Sequence, residues 1–389
     1  MNTLRPTVSR IQSFPLEYVL PDGGHGASKS RPSARTATLV KLTTSDGVVG
    51  WGESFGPPRL VAEFIRTAAQ SIIGRPLDLR EGHWLDQLTR SYHLTAAGAQ
   101  VLAFSGIDQA MWDAQARTYG VPVSALLGGA MRDSVTAYAS TGFFHAGGDA
   151  GPLRDYMQSA VDEGFTAAKI KIGSGLTADV ERVDIARELL GDDGLLMVDY
   201  NTNATADVAI RSLAAIAPFG IYWAEEPVLP DDTTGWPLLR ASGVPLAAGE
   251  ALYTRRGFRD PISKRLIDIA QPNLSVCGGF TEAKAIATLA SAFDIRVAPH
   301  VWGTGVLLGA TLQFLSALPA TPFGEHNPYP PLLEFDRGEN PLRDGVLLEP
   351  ITAADGVVAI SDGPGIGVTV DEPALAQWLV ASHAFEVTA

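Results

Sequence analysis

From about Ser134 onward the chain repeats one pattern: a short apolar run that closes on a charged or polar residue, followed by a longer amphipathic stretch. The runs are VTAYAS, TAAKIKIG, LLMVDYN, YWAEEP, PLAAGE, IDIAQPN and IRVAPH, with TPFGEHN read as the eighth. Lys169 and Lys171 close the second run, Asp199 the third, Glu225 and Glu226 the fourth and Glu250 the fifth. Asn273, His300 and Glu325 close the last three. From Lys169 to Asp199 is 30 residues; the next steps, to Glu225, Glu250, Asn273, His300 and Glu325, are 26, 25, 23, 27 and 25. Each interval fits one strand plus one returning helix. Eight such units predict a βα barrel, which gathers the strand ends at one mouth.

The first part of the chain, residues 1–130, reads as a separate α+β unit. Thr36–Thr44 alternates as a strand, Ser45-Asp46-Gly47 makes a turn, and Val48–Glu53 returns as the second arm of a hairpin. The preceding PDGGHGASKSRP is rich in Gly and Ser and predicts a mobile loop around His25. Helical periodicity follows over Arg59–Ile73 and Gly98–Tyr119, the second stopping at Gly120. Residues 131–349 form the barrel. Residues 350–389, rich in Gly and Asp near their start, are expected to close it and return to the first unit. The fold class is α/β, an α+β domain joined to a barrel.

Composition narrows the partners. The formal net charge of −14 over 389 residues argues against a nucleic-acid backbone. No apolar run approaches about 18 residues, so no membrane partner is expected. The start, MNTLRPTVSRIQSF, lacks the apolar segment of a signal peptide, and Cys277 is the single cysteine. Both fit a reducing, cytoplasmic setting, with Cys277 as a packing residue. A homo-oligomer is expected.

One acid at a strand end is ordinarily a solvated cap. Asp199, Glu225 and Glu250 on three consecutive parallel strands would repel one another unless a cation sat among them. Three carboxylates suit a hard ion, and Mg²⁺ leaves positions for substrate. Glu225 and Glu226 cannot share a face, so Glu225 is taken as the ligand. Lys169 and Lys171 do share a face, and two inward lysines that disfavour each other's charge suggest a base. His300 lies across the barrel from Lys171. Asn201, Trp302 and His25 are candidate substrate contacts. Gly173-Ser174-Gly175-Leu176-Thr177-Ala178 also matches a dinucleotide fingerprint with Asp199 downstream, but that motif does not explain Glu225 or Glu250.

Taken together, Lys169-Ile170-Lys171, Asp199, Glu225, Glu250 and His300 resemble the enolase superfamily, in particular its mandelate racemase subgroup. Gly106-Ile107-Asp108 through Trp112-Asp113 and Leu126-Leu127-Gly128-Gly129 resemble that subgroup's capping domain and barrel entry. The stretches CGGFTEAKAIATLA and APHVWGTGV are similar to galactarolactone cycloisomerases and acid-sugar dehydratases. The resemblance implies a capping domain on a modified (β/α)₇β barrel, and Mg²⁺ held by Asp199, Glu225 and Glu250. It also implies α-proton abstraction from a small-molecule carboxylate, with Lys171 as base, Lys169 neutralising charge and Glu325 as the eighth-strand acid. Enolase-superfamily sites are themselves a standard illustration of such chemistry. The subgroup usually places an aspartate behind the histidine; Asn273 stands there instead. The implied reaction is β-elimination from a sugar acid or its lactone. Racemisation or epimerisation, and a non-enzymatic sugar-acid-binding role, are the alternatives.

Overall fold

Apolar runs of about five residues flanked by Gly, Pro and Asp cannot extend into helices, and in the computed structural model they pair in parallel. The structure describes residues 5–90, 92–94, 96–145, 152–322 and 329–389. The eight barrel strands are Ser134–Thr141, Ala167–Lys171, Leu195–Asp199, Ile221–Glu225, Leu246–Ala248, Ile269–Ala270, Arg296–Val297 and Leu332–Asp336. Their ladders run from the seventh strand down to the first, and the eighth joins the first in parallel. Among the described residues a helix fills each of the seven intervals, giving (β/α)₇β. Tyr138, Ala167, Met197, Trp223, Ala247, Ile269, Ala298 and Leu332 pack together inside. They come from all eight strands or their immediate ends, so the interior is a filled layer.

The first unit is an antiparallel sheet in the order Phe385–Thr388, Val8–Val19, Ala34–Thr44, Val49–Ser54. Helices Pro58–Ile72, Arg80–Arg90 and Ala99–Tyr119 accompany it. The last strand lies close against the third helix. A Cβ at Gly50 would meet Ala110 O at 2.2 Å, and one at Gly52 would meet Gly106 O at 2.1 Å. Only glycine permits that approach. The C-terminal segment returns as expected: Val357–Ala359 pairs with the first barrel strand and Phe385–Thr388 with Val8–Val19. No described helix is long and apolar enough to cross a membrane. Cys277 is buried.

Two expectations are corrected. The eighth strand is Leu332–Asp336, and TPFGEHN is not it; Glu325 falls outside the described residues. The constant spacing falls short because the connection carries Pro319, Pro322, Pro328, Pro330 and Pro331, which lack the N–H a ladder needs. Nor is the segment around His25 a free loop. His25–Gly26 pairs antiparallel with Phe144–His145, just past the first barrel strand, and His25 is buried. Ser28 Oγ donates to Ile172 O at 2.8 Å and Lys29 Nζ to Thr202 Oγ1 at 2.7 Å. These contacts tie the segment to the ends of the second and third barrel strands.

Candidate active site

The register of the parallel strands sets the site. Lys171 lies opposite Asp199, and Asp199 opposite Glu225, in consecutive ladders. Alternation then turns Lys169, Lys171, Asp199 and Glu225 into one mouth. Glu250 follows the fifth strand after Gly249, which has φ +140°. Asn201, Thr202 and Glu226 have φ of 44°, 62° and 42°, so left-handed non-glycine backbone gathers around these strand ends, as it often does at functional sites.

Lys169 is sealed in. Its Nζ lies 2.5 Å from Glu225, 2.8 Å from Glu334 and 3.6 Å from Asp199. Burial would lower its pKa, but Glu225 and Glu334 outweigh that and hold it well above the ordinary value. A lysine held toward its charged form by these carboxylates is poorly suited to be the base, so the mutual repulsion expected of the two lysines does not govern Lys169. Lys171 pairs with Asp199 Oδ2 at 2.6 Å and keeps 8% side-chain exposure, against none for Lys169. Lys171 is therefore the lysine that reaches the open mouth. The rings of Phe143 and Trp302 each lie 6.0 Å from its Nζ and wall it.

The acids outnumber their cationic partners. Burial, reinforced by Asp199, Glu334 and Glu250 against Lys169, pushes Glu225 up to about 7. Burial and then Glu250 raise Glu226 well above its ordinary value, and Glu226 Oε2 has no hydrogen-bond partner. Glu226 Oε1 accepts from Gly249 N just past the neighbouring strand, which leaves Glu225 as the inward acid. Burial opposes ionisation of Glu250, yet His300 and Lys171 hold it below the usual carboxylate range. Glu334 is likewise held down to about 2, by Lys169 and His300 against burial. Asp199, Glu225 and Glu250 supply hard oxygen donors in an electrostatically crowded pocket, and an orphaned carboxylate oxygen sits beside them. That donor set fits Mg²⁺. Among the described residues no three such side chains already form a metal cage; the three acids are turned onto Lys171, Lys169 and His300.

His300 is held from both sides. Ser275 N and Oγ both donate to Asn273 Oδ1, at 2.8 and 2.6 Å. The backbone N–H can only donate, so this fixes the amide and leaves Asn273 Nδ2 to donate to His300 Nδ1 at 2.9 Å. His300 Nε2 lies 2.9 Å from Glu250 Oε2. Burial lowers the His300 pKa, while Glu250 and Glu334 outweigh it and raise it. The Asn273 N–H pulls the other way, because it needs a lone pair on Nδ1. The hydrogen-bond geometry decides the tautomer: a neutral ring with its proton on Nε2.

Glu334, missed in the sequence, links the two sides. Its Oε1 accepts from Lys169, and its Oε2 lies 4.0 Å from His300 Nε2 and accepts from Val301 N at 3.0 Å. The signal was an acid inside the apolar run LLEFD. Asn201 donates to Glu250 at 3.4 Å and keeps a buried Oδ1 without a partner. Trp302 is covered by Arg35 at 3.7 Å and meets Phe143 edge-on. His25 stands behind Phe143, with Arg35 Nη2 3.2 Å from its Nε2; burial and then Arg35 lower it to about 4. The Gly173 and Ser174 N–H groups of the fingerprint-like turn both go to Asp179 Oδ1, so that nest is filled by the chain itself.

Comparison with known proteins identifies the family. Residues 152–374 match the model of the enolase C-terminal domain-like family, and residues 25–128 match the mandelate racemase/muconate lactonizing enzyme N-terminal domain. The chain is 39% identical over 373 residues to a D-galactarolactone cycloisomerase of Agrobacterium fabrum, covering 95% of this chain and 98% of that one. It is 31% identical to a D-galactonate dehydratase of Xanthomonas euvesicatoria, covering 87% and 89%. A solved racemase from Streptomyces coelicolor with bound magnesium superposes with a TM-score of 0.83 at 27% identity, covering 96% and 100%. The chain belongs to the mandelate racemase/muconate lactonizing enzyme family of the enolase superfamily.

Proposed function

We propose that this protein is a Mg²⁺-dependent enzyme that removes the α-proton of a sugar-acid carboxylate and expels a β-oxygen, with a sugar-acid lactone as its preferred substrate. The observation that carries the reading is the placement of Lys171 at the open mouth together with a His300 whose Nδ1 faces the Asn273 amide N–H. Asp199, Glu225 and Glu250 would hold Mg²⁺, which supplies Lewis-acid stabilisation for charge developing on the substrate carboxylate. Lys171, walled by Phe143 and Trp302, takes the α-proton once it has released its own. Lys169 stays charged and offsets the negative charge that builds up. Asn201 and Glu334 offer polar contacts at the mouth. The electron pair left on carbon then forms the double bond as the β carbon–oxygen bond breaks.

The leaving group follows from the tautomer. A neutral imidazole is a good hydrogen-bond donor and a poor acid. Expelled hydroxide needs a full proton, whereas the ring oxygen of a lactone leaves as a carboxylate and needs only a hydrogen bond. The Asn273-held ring suits the second case. It also disfavours racemisation, since a protonated Nε2 cannot receive an α-proton. The similarity to a galactarolactone cycloisomerase supports the same reading. The test is proton NMR on paired sugar acids and their lactones, with Mg²⁺ and with excess chelator. Lactones should turn over at least ten-fold faster than the free acids, and chelator should stop both. Turnover that survives chelation, or free acids that outpace every lactone, would overturn the reading.

A further inference from the structure

The last strand of the capping domain ends in Trp51-Gly52-Glu53-Ser54, and Glu53 is 1% exposed. Its carboxylate is not directed at the catalytic groups. It crosses to the barrel and meets the start of the helix Gly305–Ala317, which follows the seventh strand. Glu53 Oε2 accepts from Thr304 Oγ1 at 2.6 Å, Thr304 N at 3.0 Å and Leu307 N at 3.2 Å. Glu53 Oε1 takes a longer share of Thr304 N at 3.2 Å. Thr304 Oγ1 in turn caps the helix by accepting from Val306 N. A Cβ on Gly303 would lie 2.0 Å from Glu53 Oε1, so the loop wraps directly over the carboxylate. Only three residues, Val301 to Gly303, separate this anchor from His300.

The same strand end also holds the sixth-strand loop. Gln109 Nε2 donates both to Glu53 O at 2.8 Å and to Leu274 O at 2.9 Å. Phe55 N donates to Ser275 O at 3.2 Å. Ser275 fixes the Asn273 amide, and that amide fixes His300. One short stretch of the capping domain therefore grips both loops whose residues meet in the Asn273–His300 pair.

We infer that Glu53 is a positioning residue: it holds the His300–Thr304 segment in register with the Asn273 loop, so that the histidine is oriented only when the capping domain is docked on the barrel. Its carboxylate is suited to this because one oxygen can serve three converging donors, which a neutral side chain does less well. The effect should fall on the His300 side of the mouth and spare Lys171, whose strand Glu53 does not contact. The functional part of the inference rests on the reaction proposed above; the structural part does not.

The test therefore has two arms, using the full-length protein with Glu53→Ala, Glu53→Gln and Gly303→Ala. The first is amide hydrogen exchange read by mass spectrometry, which requires no substrate. Glu53→Ala and Gly303→Ala should speed exchange across residues 300–308 at least ten-fold and leave the strands at 167–171 and 195–199 unchanged. Glu53→Gln, which keeps an acceptor, should restore most of the protection. The second arm follows a turned-over lactone in D₂O. Glu53→Ala should lower product formation at least ten-fold while α-proton exchange stays within about three-fold of wild type. Equal protection in all variants, or no rescue by glutamine, overturns the positioning role. Parallel loss of exchange and elimination would mean a general structural role and overturns it too. If wild type exchanges no α-proton on any sugar acid or lactone, the proposed reaction fails, and the first arm still judges Glu53.

Discussion

Asn273 Nδ2 donates to His300 Nδ1 at 2.9 Å, and it has no freedom to do otherwise, because Ser275 N–H occupies the amide oxygen. The pair fixes one tautomer where a carboxylate would fix the other. Asn273→Asp should reverse it: Nδ1 would carry a proton toward the new charge, and the His300 pKa should rise. The alkaline limit of product formation is expected to move to higher pH, with expulsion of hydroxide from free sugar acids gaining relative to lactone opening. Paired pH–rate profiles check this; superimposable profiles would refute the tautomer argument.

The division of labour between the lysines gives a second prediction. Lys171→Ala should reduce solvent-deuterium exchange of the substrate α-proton by about 10²–10⁴-fold, the usual contribution of a positioned base. His300→Asn should leave that exchange within a few-fold of wild type and slow elimination. The readout is the α-proton NMR signal in D₂O. Exchange that needs His300 and not Lys171 would reverse the assignment.

Metal binding and pH should be linked through Glu225. Its folded-state pKa is raised to about 7, as are those of Glu53 and Asp108, in each case by burial first. Raised carboxyl values add stability that is fully present below their ordinary values, 4.5 for the glutamates and 3.8 for Asp108, and is lost as pH rises through about 7. The metal-free protein should therefore melt at a lower temperature at pH 8 than at pH 5. Mg²⁺ favours ionised Glu225 and should raise the melting temperature more at pH 8 than at pH 5. Glu250→Gln should abolish most of that Mg²⁺ increment, and turnover with it, with the far-UV spectrum unchanged. Thermal scans with and without Mg²⁺ at both pH values decide it, and an equal increment in wild type and variant would remove Glu250 from the ligand set.

The segment around His25 should matter for stability as well as for substrate choice. His25 packs on Phe143 and takes a hydrogen bond from Arg35, whose Nη1 already has no partner. His25→Ala would strip that acceptor from a buried guanidinium and is expected to cost about 1–3 kcal/mol. KM should also rise several-fold, because Phe143 borders Lys171. Urea denaturation and a kinetic panel test the two effects. A KM change with full stability would restore the picture of a mobile loop around His25.

The sequence by itself carried the barrel, the capping unit and most of the acid and lysine set. Strand and helix periodicities are local, and a side chain at a strand end must point toward the mouth or away from it. That logic placed Lys169, Lys171, Asp199, Glu225, Glu250, Asn273 and His300 at their strand ends from spacing alone. It failed at the eighth strand, where a proline-rich connection lengthened the period and the strand's own acid, Glu334, was not read. Only the tertiary structure could decide that His25 is pinned in a cross-domain ladder. It also showed Lys169 locked among three carboxylates, Glu53 reaching across to Thr304, and the Asn273 amide turned by Ser275. All but the Asn273–Ser275 contact join residues far apart in the chain, and that one depends on how a loop folds back on itself; periodicity encodes neither, because it records only the direction a side chain leaves the backbone and not what meets it there.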